Sequence, residues 1–179
     1  MRILYISHTH PPAGAILDNV GGMQRVSRQL IQELERKDDV ELITDTVNVS
    51  GKGLVGVKTF IFLVKQLVEL PVRARQTQAD VILFSSMVTA SLAWFLRGKI
   101  SIPMVTINHG RDVTLPVAIY QWFLPRVLNS LDGVISVSQA TRGECIKRGM
   151  DPNRGVALPN GFELNKMANL PDKEVSRSD

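Results

Sequence analysis

The chain has 179 residues, 44% hydrophobic and 21% charged, a balance that supports one domain with a sizeable core and excludes a disordered chain. Its 21 Lys and Arg against 17 Asp and Glu give a net charge of +4, and no run of five like charges or interleaved aromatic platform is present, so no nucleic-acid partner is expected. A single cysteine, Cys145, allows neither an internal disulfide nor a cysteine-type zinc site, which points to a reducing, cytoplasmic setting and a small buried thiol.

In chain order, residues 3–6 read as a strand. Ala13-Gly14-Ala15 beyond it superficially resembles a signal-peptide cleavage site, but the apolar run is too short and is interrupted by His8, His10 and two prolines. Met23, Val26, Leu30, Ile31 and Leu34 then recur at helical spacing, and residues 40–49 form a second strand. Residues 57–70 predict a helix that Pro71 stops, with Lys58, Lys65, Gln66 and Glu69 on one polar arc and Phe62 inside it. That arrangement offers an aromatic ring between two lysines to an anionic membrane surface or a partner; the alternative is that a neighbouring loop covers Phe62. Strands follow over 81–84, 104–107, 134–137 and 156–158, and residues 138–149 predict a helix with a serine cap and a glycine stop. The longest charge-free apolar stretch, 81–96, has 16 residues with four Ser or Thr, too few to span a bilayer.

Several of these strands are apolar on both faces, as a parallel sheet covered on each side requires. The β/α alternation therefore predicts a doubly wound, Rossmann-like α/β fold. Ligands in such sheets bind beyond the carboxyl ends of the strands, which directs attention to residues 8–22, 108–114 and the turn at Ser138. Gly21-Gly22 at a helix start would let an anion approach unpaired backbone N–H groups, or would merely permit a tight turn. The segment matches neither the dinucleotide fingerprint nor the phosphate loop, which leaves Asp45 without support as a ribose-binding acid. His8 and His10 lie two apart in extended chain and so face the same way, as a metal pair would. Only His109, Asp112 and Asp80 remain to complete such a site. Asn108-His109-Gly110-Arg111-Asp112 brings an imidazole and a guanidinium to the expected carboxyl edge, with Asp112 or Thr114 capping the next helix and Pro116 in its first turn.

The strand and loop 3–12, Gly21-Gly22-Met23-Gln24-Arg25-Val26, Ala79-Asp80-Val81-Ile82, Val105-Thr106-Ile107-Asn108-His109-Gly110, the segment 131–141 and Leu158-Pro159-Asn160-Gly161-Phe162-Glu163 together resemble the N-terminal domain of family-four retaining glycosyltransferases of the GT-B fold. Glu163 stands where that family has an aspartate, and Glu33 and Glu41, although spaced as in its E-x7-E motif, straddle a helix end and a strand. The resemblance implies an acceptor-side domain over 1–160, a linker or tail over 161–179, and a C-terminal donor-binding domain outside this chain, so that the chain alone is expected to lack turnover. It implies a nucleotide-sugar donor, a sugar or lipid-linked acceptor and no metal cofactor. By position, His109 would approach the transferred sugar. Gly21 and Gly22 would lie near the donor diphosphate, and Asn108, Arg111, Ser138 and His10 would line the cleft. Two alternatives stand beside this reading: a non-catalytic binding module or split-enzyme subunit docking on a partner or on the inner face of a membrane through Lys58, Phe62 and Lys65, and a metal-dependent hydrolase using His8 and His10.

Overall fold

The computed structural model describes residues 1–10, 22–48 and 55–161. Six strands, β1 (Arg2–His10), β2 (Glu41–Asn48), β3 (Val81–Phe84), β4 (Met104–Asn108), β5 (Gly133–Ser136) and β6 (Gly155–Ala157), form one sheet in the order β2-β1-β3-β4-β5-β6. Every pairing is parallel, with Leu4 opposite Ile43 on one side and Ile82 on the other. The central strand explains why. Ile3, Leu4, Tyr5 and Ile6 are all buried, alternate residues facing opposite ways, so both faces of the sheet must be covered by crossovers.

Helices α1 (Gly22–Glu35), α2 (Val55–Gln76), α3 (Met87–Leu96), α4 (Gly110–Thr114), α5 (Ala118–Ser130) and α6 (Gln139–Lys147) make those connections. The step from β1 to β2 runs one way along the sheet, and every later step runs the other way. Among the described residues, right-handed crossovers therefore place α1 alone on one face and the remaining helices on the opposite face. The core divides accordingly. Leu4, Ile6, Ile82, Phe84 and Met104 pack with Leu70, Leu92, Leu124 and Leu128 on the crowded face, while Ile3, Tyr5, Leu83 and Ile107 pack with Ile31 beneath α1.

The predicted sheet, the cap at Ser138 and the glycine stop at Gly149, which has φ +92°, agree with the structure. Four expectations need correction. β1 continues past Ser7 to His10, following the neighbouring edge strand β2 through a register irregularity. Residues 110–114 coil into α4 rather than a loop, and α5 begins after Val117, so neither Asp112 nor Thr114 caps it and Pro116 lies ahead of it. Pro71 does not stop α2. It removes one N–H, while Leu70 and Ala74 on either side are buried and Arg73 is 2.7 Å from Asp45, so packing carries the helix to Gln76. Finally, Phe62 is not displayed between the lysines. It is buried in the main core and Gln66 turns inward with it, while Lys58 and Lys65 stay exposed.

Candidate functional site

Because all strands run parallel, their carboxyl ends share one edge, and the side chains there are tied into a continuous arc. At the end of β1, His8 is buried and its Nδ1 lies 3.4 Å from the Ser86 hydroxyl at the head of α3. Burial lowers its pKa to about 4, so the imidazole is neutral. Behind it, the Tyr5 hydroxyl donates to Ser27 Oγ at 2.9 Å, and Ser27 in turn lies 3.2 Å from Ser7 Oγ, which fixes α1 against β1.

At the end of β4, His109 stands at the head of α4, half-buried. Its backbone N–H donates to Asp112 Oδ2 at 3.4 Å, and the Met87 N–H at the head of α3 favours the charged form of the same carboxyl group. Burial raises the Asp112 pKa, an effect opposed by His109 and by these two donors. The Tyr120 hydroxyl donates to the Asp112 carbonyl and so holds α5 to the same point. A Cβ on Gly110 would sit 3.4 Å from Thr141 Oγ1, which places α4 directly against α6. Thr141 in turn donates its N–H to Ser138 Oγ at 3.1 Å. His8, Ser86, Met87, Asp112, His109, Gly110, Thr141 and Ser138 thus follow one another along a single rim.

The residues nominated from sequence are placed differently along this rim. His109 is half-buried and Arg111 exposed, whereas the Ser138 hydroxyl is committed to its cap. Gly22 is exposed at the first residue of α1, with open space where a Cβ would stand. Gly21 and the His10 side chain lie outside the described residues. Asn108 does not line the cleft. It is fully buried and donates its amide to Cys145 Sγ at 2.9 Å, which supports the rim from below. Cys145 is the expected buried thiol, its pKa raised by burial.

Asp45 is held by Arg73 rather than offered to a ribose. Asp80 and Asp132 accept the Arg2 and Met104 N–H groups at the amino edge of the sheet, opposite His8, so Asp80 cannot complete a metal site with it. Among the described residues no three His, Cys, Asp or Glu side chains gather as a metal-binding group.

Sequence reasoning missed a groove of about 530 Å³ beside the rim, lined by Val26, Gln29 and Leu30 of α1, Ile107, Val137 and the exit segment Leu158, Pro159, Asn160 and Gly161. Its signal was topological: among the described residues α1 is the only helix on that face, and Val105 of β4 and Ile135 of β5 stay only partly buried there.

A six-stranded parallel sheet with its polar rim at the carboxyl edge is a doubly wound, Rossmann-like α/β domain, the fold of the N-terminal half of GT-B structures. Residues 20–166 match Glycosyltransferase Family 4, and the chain belongs to that family. Among solved structures, sucrose-phosphate synthase from Thermosynechococcus elongatus superposes with a TM-score of 0.68 and 18% identity over 96% of this chain and 53% of its own. A lipopolysaccharide outer core galactosyltransferase, WaaB, gives 0.61 and 14% over 91% of this chain and 46% of its own. Anabaena Alr3699/HepE in complex with UDP-glucose gives 0.59 and 19% over 92% of this chain and 45% of its own. A comparison with curated proteins by sequence finds no match. The chain thus spans about half the length of the solved structures it resembles.

Proposed function

We propose that this chain is the acceptor-side domain of a retaining glycosyltransferase that takes a sugar from a nucleotide-sugar donor. The observation that carries the reading is His109, half-buried at the head of α4 with its backbone N–H held by the Asp112 carboxyl group. An imidazole on a backbone so anchored can orient the hydroxyls of a sugar by hydrogen bonding, without serving as nucleophile. The exposed start of α1 at Gly22 offers backbone amides to the negative charge that builds as the nucleotide departs, and Arg111 adds an accessible cation at the same edge. Binding of UDP-glucose by HepE supports a nucleotide sugar as the donor class.

In this reading a second lobe closes over the rim and supplies most nucleotide contacts, either in the remainder of a longer polypeptide or as a separate chain. No metal is needed, because the amides and cations of the two lobes carry the charge. The acceptor, a sugar or lipid-linked glycan, approaches from the side of His8 and His10. The test is transfer from a panel of UDP-, GDP- and ADP-sugars, comparing this chain with the same chain joined to its donor lobe. The expected result is transfer with retained anomeric configuration by the joined form and none by the single domain. An inverted product, or turnover by the single domain, overturns the reading.

A further inference from the structure

The outward surface of α2 is apolar where a helix covering one side of a sheet should be polar. Phe60, Ile61, Val64, Val68 and Val72 recur at helical spacing and are 47% to 74% exposed. The same helix turns Thr59 and Gln66 inward, where the Thr59 hydroxyl and the Gln66 carbonyl lack partners among the described residues. This inverted amphipathicity costs stability within the domain, and it creates an apolar ridge that no described residue covers.

The ridge has neighbours of the same kind. Helices α2, α3 and α5 lie side by side on one face. Trp94 and Phe95 of α3 are exposed and cluster with Phe123 of α5, at ring separations of 4.8 to 6.1 Å, while Ile119 and Trp122 also face outward. Charge on this face is one-sided. Glu69 is the only carboxylate in the three helices, and it pairs with Lys65 at 3.4 Å, against Lys58, Lys65, Arg73, Arg75 and Arg126. Arg73 is taken by Asp45, and Arg126 lies 3.8 Å over the Trp122 ring. Helix α1, on the opposite face, is balanced, with Arg25 and Arg28 against Glu33 and Glu35.

We propose that this face docks on an anionic lipid bilayer. The α2 ridge enters the boundary between headgroups and acyl chains, and Lys58, Lys65, Arg75 and Arg126 meet the lipid phosphates. Indole rings and cations bordering an apolar stripe suit that interface. None of the described helices is long and apolar enough to cross a membrane, so the helix lies along the surface. A second copy of the chain is a poorer occupant, because pairing two such faces would set lysines and arginines against their own kind.

The test is co-sedimentation of the 179-residue chain with vesicles of phosphatidylglycerol and phosphatidylcholine, compared with phosphatidylcholine alone. The expected result is binding to the anionic vesicles that weakens at high salt. It should fall at least about tenfold in Val64→Glu/Val68→Glu and again in Lys58→Glu/Lys65→Glu, and remain unchanged in Arg36→Glu on the opposite face. Circular dichroism confirms that the variants fold, since all these side chains are exposed. Failure of the parent to bind, equal binding by the Val64→Glu/Val68→Glu variant, or a dimer in solution that this variant dissociates would each overturn the proposal.

Discussion

The Asp112 carboxyl group accepts the backbone N–H of His109 at 3.4 Å, and its charged form is also favoured by the Met87 N–H at the head of α3. The backbone that carries the imidazole is therefore held by a carboxyl group in the first turn of the short helix that His109 caps. Removing that group in Asp112→Ala should cost about 1 kcal/mol of stability as a lost cap and release His109. We expect transfer by the two-lobed enzyme to fall about tenfold, mainly in kcat, with partial recovery in Asp112→Asn. The comparison of kcat with KM by steady-state kinetics checks this, because a purely structural loss would lower the active fraction without restoring kcat in the asparagine variant.

His8 should make folding sensitive to pH. Its folded pKa of about 4 lies below its ordinary value, so the unfolded chain takes up the proton first as pH falls. Stability attributable to this group is complete above about pH 6.5 and is lost progressively toward pH 4, by about 3 kcal/mol in all. Urea denaturation followed by circular dichroism at pH 7 and pH 4.5 should show this loss, and His8→Gln should flatten it.

Two glycines of α6 and its exit should respond in opposite senses. Gly149 has φ +92°, so Gly149→Ala should destabilise the fold by about 1 kcal/mol. Gly143 lies inside α6 with open space around its Cβ position, so Gly143→Ala should stabilise by about 0.5 to 1 kcal/mol. Thermal unfolding of the two variants checks both signs.

Where the sequence was informative, one kind of signal acted alone. The strands at 81–84, 104–107 and 134–137 are bounded apolar runs whose burial on both faces forces a parallel sheet, and the Ser138 cap and the Gly149 exit have local backbone causes. What failed depended on partners distant in the chain. Periodicity separates the two arcs of α2 but does not say which one faces inward; Phe62 and Gln66 are drawn inward because the arc they share with Arg73 lies over Asp45 and its neighbours on β2. Asn108 reads as a polar residue at a strand end, and only the approach of Cys145 from α6 shows that its amide is enclosed. The end of α2 was misread because Pro71 removes only one hydrogen bond, less than the packing of Leu70 and Ala74 restores.

The most direct measurement is the turnover number of His109→Ala in the two-lobed enzyme, with the fold verified by circular dichroism. Loss of a positioned hydrogen bond at the reacting sugar should lower kcat by about 10- to 100-fold. A kcat equal to that of the parent enzyme would show that sugar transfer does not take place at the rim built around His109.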